Sequence, residues 1–294
     1  METTTNAAVK HVDGFEINLS KCLGKGAFGE VYIATHIKTQ QKFAVKMMSM
    51  ALIQEDKTLF ELIKREINIQ KTVTNEHVVR LLHVTRTTNN LYLFTDLCED
   101  GDLQNRIKKG PSFTEQEACS VIWQIADAFI AMGNVMHRDI KPANILLSKG
   151  KVKVADFGFA KVISETEKTR KNYHTILGTP IYMSPQILME ERYTAKCDVW
   201  STGCLFYELL FGRTPWIAMS VPSLVNNIRT KPLSFPTKID EKTKDLLIKM
   251  LEYDEGKRIG WKEVLEHPAL RPQELNEKKD FLNQIAIKME GIKL

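Results

Sequence analysis

The chain has 294 residues, 43% of them hydrophobic and 26% charged, the composition of an ordinary soluble globular protein long enough to bury one or two cores. With 41 basic against 36 acidic residues the surplus is +5, too mild to point to nucleic acid, although it suits a surface that meets anionic phosphate at one place. Five cysteines without Cys-x-x-Cys spacing argue against a disulfide framework or a cysteine metal site, and no run reaches the ~18 apolar residues that span a bilayer.

Residues 1–13 are polar, lack the apolar core of a secretory signal, and are expected to be a flexible N-terminus. The expected compartment is the cytoplasm, which composition does not separate from the nucleus. From Phe15 to about Leu97, apolar and polar residues alternate in short runs at 30–36, 42–48, 78–84 and 91–97, the pattern of strands. One helix interrupts them over 57–72, where Leu59, Leu62, Ile63, Ile67 and Ile69 recur at helical spacing. After Gly101 the character becomes helical. Thr114 with Glu117 three residues on forms a capping box for a helix running to about Met132. Further helices are expected at 196–211, 222–230, 241–252 and 261–267. Between them, 159–186 reads as a long irregular segment of the kind that is usually functional. In the tail, 271–294, Leu275, Phe281, Leu282, Ile285, Met289 and Ile292 form a helical stripe, either packed on the preceding helices or bound to a partner.

The chemistry concentrates near the middle. His137-Arg138-Asp139-Ile140-Lys141-Pro142-Ala143-Asn144 is followed by Asp156-Phe157-Gly158. An acid, a cation and an amide on one loop, then a second acid before a glycine, are the parts that phosphoryl transfer needs. Asp139 can accept the proton of an attacking hydroxyl, Lys141 can neutralise charge on the moving phosphate, and Asn144 with Asp156 can hold magnesium. Upstream lie Leu23-Gly24-Lys25-Gly26-Ala27-Phe28-Gly29-Glu30-Val31 and Phe43-Ala44-Val45-Lys46. Gly24, Gly26 and Gly29 fall between two expected strands, where missing Cβ atoms let backbone amides approach phosphate; a plain glycine-rich hairpin is the bland alternative. A dinucleotide fold fails because a strand, not a helix, follows the loop. Lys46 ends an apolar strand and needs a partner there. Downstream come Gly178-Thr179-Pro180-Ile181-Tyr182-Met183-Ser184-Pro185-Gln186 and Asp198-Val199-Trp200-Ser201.

Six such segments in this order, over roughly residues 15–270, resemble the eukaryotic protein kinase family, in particular its serine/threonine branch; the stretches around 96–103, 140–144 and 178–186 look most like the Unc-51-like, autophagy-type group. The resemblance implies an α+β, bilobal kinase-like fold over 14–270. A small antiparallel N-lobe with one helix (about 14–97) and a hinge (about 96–101) would precede a larger, mainly helical C-lobe (about 102–270). It implies a serine/threonine protein kinase that moves the γ-phosphoryl of ATP to protein hydroxyls with Mg2+, for which Mn2+ could substitute. Its partners would be ATP, protein substrates and an upstream kinase, with neither nucleic acid nor a transmembrane segment. A kinase-fold scaffold with low turnover is the alternative.

By the same resemblance, Lys46 reaches the α- and β-phosphates and pairs with Glu66, ahead of Glu61 and Glu55. Val31, Ala44 and Leu146 sandwich the adenine, together with Leu23 at the start of the glycine-rich loop. Asp96 supplies an acceptor carbonyl and Cys98 a donor amide, Thr95 guards the pocket behind, and Asp102 meets the ribose. Thr179 contacts Asp139 and Lys141, and Asp198 accepts from the backbone near His137. Thr175, once phosphorylated, docks on Arg138 and Lys161. Three positions depart from the family. Gln70 stands where an apolar side chain is usual. Ala143 replaces an acid used to bind basic substrates. Gln186 replaces the acid that pairs with an arginine, here Arg258, leaving that cation less well compensated and the C-lobe dependent on some other acid.

Overall fold

The computed structural model describes residues 9–26, 29–110, 113–162 and 179–271, apart from the side chains of 161 and 162. The chain divides into two compact units, one of residues 1–72 and 79–99, the other of 73–78 and 100–294.

In the first unit six antiparallel strands, β1 (Val9–Val12), β2 (Phe15–Gly26), β3 (Gly29–His36), β4 (Lys42–Ser49), β5 (Leu81–Arg86) and β6 (Asn90–Asp96), form a sheet in the order β1-β2-β3-β4-β6-β5. Strand alternation divides its residues between two cores. Phe15 and Ile17 of β2, Tyr32 and Ala34 of β3, Phe43 and Val45 of β4, and Tyr92 and Phe94 of β6 pack into one. Met48 and Leu93, of the opposite parity, join Ile53 of α1 (Met50–Glu55) and Ile63 of α2 (Lys57–Thr72) in the other. Lys46 shares the parity of Met48, and it stands in register with Val31 on β3 and Leu93 on β6. Gly29 has a packing reason of its own: a Cβ there would lie 2.3 Å from the Met47 carbonyl oxygen, so the close approach of β3 to β4 excludes any side chain.

Two expectations are corrected here. Residues 9–12 of the supposedly flexible N-terminus form β1, because Asp13 and Gly14 turn the chain with φ of +49° and +80° and lay Val9–Val12 along β2. This is the paired positive φ of an Asp-Gly hairpin. The sheet also carries two helices rather than one, since α1 precedes α2.

The second unit is mainly helical: α3 (Leu103–Lys109), α4 (Glu115–Met132), α5 (Pro185–Leu188), α6 (Lys196–Phe211), α7 (Val221–Thr230), α8 (Glu241–Met250) and α9 (Trp261–Leu265). Short strands β7 (Val135–Met136), β8 (Ile145–Ser148), β9 (Lys151–Val154) and β10 (Lys161–Val162) pair as β7 with β10 and β8 with β9. Thr114 and Glu117 form the full capping box that opens α4. Segment 73–78, expected in the N-terminal lobe, belongs to this unit. His77 Nδ1 donates to the Val152 carbonyl oxygen (3.1 Å), Val154 N donates to His77 O, and Asn75 donates to Asp127. Among the described residues no helix is long and apolar enough to cross a membrane.

His77 also gives the fold a pH dependence. Burial pushes its pKa below the ordinary 6.5, outweighing the Val152 carbonyl and the nearby Glu76 and Asp127, which favour the cation. The unfolded chain therefore binds the proton first as pH falls, so this contribution is complete above about pH 6.5 and is lost below it. In His77→Gln, the fall in unfolding free energy between about pH 7 and about pH 5 should be shallower than in the wild type, as denaturant titrations would read. An unchanged slope would reject this role.

Candidate active site

On the first unit, one face of the sheet gathers the residues expected to meet a nucleotide. Val31 opposes Lys46, and Ala44 opposes Thr95. Directly paired residues point to the same side, and Ala44 and Lys46 are two apart, so all four share that side. Lys46 Nζ donates to both carboxylate oxygens of Glu66, at 3.1 and 3.3 Å, and Glu66 is only 4% exposed. The partner is thus Glu66. Glu55 ends α1, and Glu61 lies on the exposed face of α2. Leu23 is half exposed on β2, and Gly24 and Gly26 have no side-chain neighbours within 4 Å of where a Cβ would be. Thr95 Oγ1 makes a long, 3.5 Å bond to the Asp96 carbonyl, and the Asp96 backbone amide donates to Arg80 O. Cys98 follows β6 and is half-buried.

The second unit holds the catalytic-loop candidates in one network. Asp139 is 5% exposed, and its Oδ2 accepts from Lys141 Nζ at 2.7 Å and from Asn144 Nδ2 at 2.9 Å. Asn144 Nδ2 also donates to the Asp139 carbonyl at 2.8 Å. Both amide hydrogens are thereby spent on Asp139, which leaves the amide oxygen as the group that a cation could use. Asp156 is exposed, at φ +65°, with Gly158 N donating to its Oδ1 at 3.4 Å. An amide and a carboxylate oxygen are the hard donors that Mg2+ accepts when phosphate and water complete its shell, so these residues fit that ion. Among the described residues no three His, Cys, Asp or Glu side chains cluster as a ready metal cage.

A second tier holds this loop in shape. Asp198, fully buried at the start of α6, accepts from the backbone N–H of His137 (2.7 Å) and of Arg138 (2.8 Å). Burial raises its pKa, while those N–H groups and the neighbouring charges pull it down. Arg138 sits at φ +66°, a placement that costs a non-glycine residue about 1–3 kcal/mol and persists only where surroundings impose it. The Asp198 grip supplies that constraint. His137 Nε2 lies 3.0 Å from Ala155 O, and Asp139 N donates to His137 Nδ1, so the proton of the neutral ring belongs on Nε2. Its ring meets Phe157 edge-on at 5.1 Å.

One expected contact comes out differently, and two further site residues have partners within the protein. Thr179 is exposed at the start of the 3-10 turn Pro180–Tyr182, and it bonds to neither Asp139 nor Lys141, which bond to each other instead. Asp102 caps α3, with both carboxylate oxygens accepting from Asn105, while its backbone bridges to Leu146. Arg138 Nε donates to Phe159 O at 2.6 Å, and Tyr193 hydrogen-bonds to Arg138, which opposes the upward push of burial on the phenol. Neither partner was foreseen. Thr175 and the Lys161 side chain lie outside the described residues.

Gln186 does meet Arg258, Oε1 accepting from Nη2 at 2.9 Å, but the expected shortfall is made good by neutral groups. Arg258 also donates to Glu252 O, Lys196 O and Tyr253 O, and stacks over Trp200 at 4.9 Å. Burial lowers its pKa, and Glu255 is the acid that opposes this most. Gln186 Nε2 in turn donates to Tyr253 O.

Comparison with known proteins agrees with this geometry. Residues 17–270 match the family described as protein kinase domain. The chain is 34% identical over 262 residues to a serine/threonine-protein kinase atg1 of Dictyostelium discoideum, covering 86% of this chain and 39% of that protein. It is 35% identical over 265 residues to the serine/threonine-protein kinase PLK4 of Drosophila grimshawi, covering 88% and 34%. With an Aurora kinase of Dictyostelium discoideum the identity is 33% over 263 residues, covering 88% and 66%. The chain thus spans 39% and 34% of the length of the first two relatives.

Proposed function

Because the chain belongs to the protein kinase domain family, we propose that it is an ATP-dependent serine/threonine protein kinase acting on protein hydroxyls. The observation that carries this reading is the Asp139–Lys141–Asn144 network: one buried carboxylate held by a cation and an amide on a single loop. Transfer of this kind needs positioning and charge neutralisation more than covalent chemistry. Asp139 orients the attacking hydroxyl and takes its proton, and Lys141 neutralises the γ-phosphate. Lys46, fixed by Glu66, binds the α- and β-phosphates. Asn144 and Asp156 would hold Mg2+, which screens the phosphates when bound. Val31, Ala44 and Leu146 contact the adenine beside Leu23, Thr95 backs it, and the backbone of Asp96 and Cys98 reads its edge. Asp102 meets the ribose with lone pairs that its cap leaves over. The test is phosphate transfer from labelled ATP to a generic protein, with Asp139→Asn as the control. A scaffold of kinase fold would show no Asp139-dependent transfer.

The reading extends to an Unc-51-like assignment, supported by residues 96–103, 140–144 and 178–186, and to a cytoplasmic site, supported by the unpatterned cysteines. It also extends to control by phosphorylation of Thr175 by an upstream kinase. A phosphothreonine brings close to two negative charges, and Arg138, with Lys161, offers cations to receive them. Thr175→Ala should lower kcat/KM about 10-fold relative to the phosphorylated wild type, the usual scale of such coupling. A Thr175→Ala enzyme that equals it would reject this control.

A further inference from the structure

Helix α2 carries a buried polar atom that nothing among the described residues satisfies. Gln70 is 6% exposed, and its Oε1 has no hydrogen-bond partner. Leu59, Ile63 and Ile67 pack α2 against the sheet core. Steps of four, four and three reach Gln70 next along that stripe, where an apolar residue would continue it. One turn earlier, Glu66 is 4% exposed and holds Lys46 through both oxygens. Two buried polar groups therefore sit one turn apart, and only one has its acceptor atoms paired. Water satisfies the Gln70 carbonyl oxygen in any arrangement that exposes it, so the buried arrangement bears a desolvation penalty that an aliphatic side chain would not.

We propose that Gln70 is a positioning residue acting through Glu66: its unpaired oxygen weakens the seat of α2 and keeps the Lys46–Glu66 pair easy to break. The pair is then made when something else steadies the helix, and the basal enzyme spends part of its time without it. This deepens the kinase reading and rests on it. It also accounts for a polar residue at a position where helical spacing asks for an apolar one.

The experiment compares wild type with Gln70→Leu and Gln70→Met, each alone and in a Glu66→Gln background, using the whole chain. Amide hydrogen exchange over 57–72 should slow about 10-fold in the apolar variants, since local opening becomes less favourable. The KM for Mg-ATP should fall by about 3-fold or more, with a smaller change in kcat, because the binding-competent arrangement is more populated. In the Glu66→Gln background the KM effect should vanish, as expected of a residue that acts through that carboxylate. Unchanged exchange and KM in the folded variants would overturn the proposal. So would an equal KM effect without Glu66, or failure of both apolar variants to fold. No phosphate transfer in the wild type would sink the kinase reading alone, because the exchange comparison still judges Gln70.

Discussion

Asp139→Asn is expected to lower kcat by about 1,000-fold, within the range for losing a positioned general base, while the unfolding midpoint stays within a degree or two of the wild type. The asymmetry follows from the hydrogen bonds. Both described side-chain bonds to Asp139 end on Oδ2, from Lys141 Nζ and Asn144 Nδ2. An asparagine can turn its carbonyl oxygen toward those two donors and keep the loop intact. Its –NH2 then occupies the place of Oδ1, the oxygen left for a substrate hydroxyl. A donor there cannot accept the proton, so chemistry suffers while the fold does not. The KM for ATP should be nearly unchanged, because Lys46 and Glu66 are untouched. A loss smaller than about 10-fold in kcat, or a collapse in stability of the same size as the loss in activity, would remove Asp139 from the role given to it.

The parts of this molecule that were legible in the sequence are those whose signal lies in side chains close together in the chain. Helix α2 announced itself through Leu59, Ile63 and Ile67, and the start of α4 through Thr114 and Glu117. The three short helices that escaped notice, α1, α3 and α5, have six, seven and four residues, too few for periodicity to accumulate. α3 still had a signal in Asp102, whose side chain caps it. β1 had one too, in the Asp13-Gly14 pair, but Lys10 and His11 between its valines made the segment look merely polar. At the site, Lys46 advertised its need for a partner by ending an apolar strand, while the choice among three acids came from family resemblance. The described partners of the Arg138 side chain could not be read at all. They are a carbonyl at Phe159 and a phenol 55 residues away at Tyr193, and a carbonyl belongs to every residue alike. The same applies to Arg258, where a missing glutamate looked like a deficit because only side chains can be counted in a sequence.

Arg258→Ala should destabilise the protein by about 4 kcal/mol, lowering the midpoint of thermal unfolding by about 10 °C. Arg258 is 1% exposed, and its guanidinium serves Gln186 Oε1 and the carbonyls of Glu252, Lys196 and Tyr253. Truncation opens a large cavity beside Trp200 and strips at least three acceptors of this donor in a region that water reaches poorly; each stripped group costs about 1–3 kcal/mol, less whatever local relaxation recovers. Tyr253 O is the exception, because Gln186 Nε2 still donates to it. Gln186→Glu provides the decisive contrast. It places a carboxylate on the buried cation and strengthens that bond, but it sets the second carboxylate oxygen against Tyr253 O, where the amide had donated. The two changes oppose each other, and the net effect should stay within about 1 kcal/mol of zero. A gain of about 3 kcal/mol in Gln186→Glu would mean that the cation had been short of a charge partner all along. A small loss in Arg258→Ala would mean that its neutral cage contributes little. The bond pattern opposes both outcomes: glutamine fits this position because it can accept from Arg258 and donate to Tyr253 at once, which a glutamate cannot do.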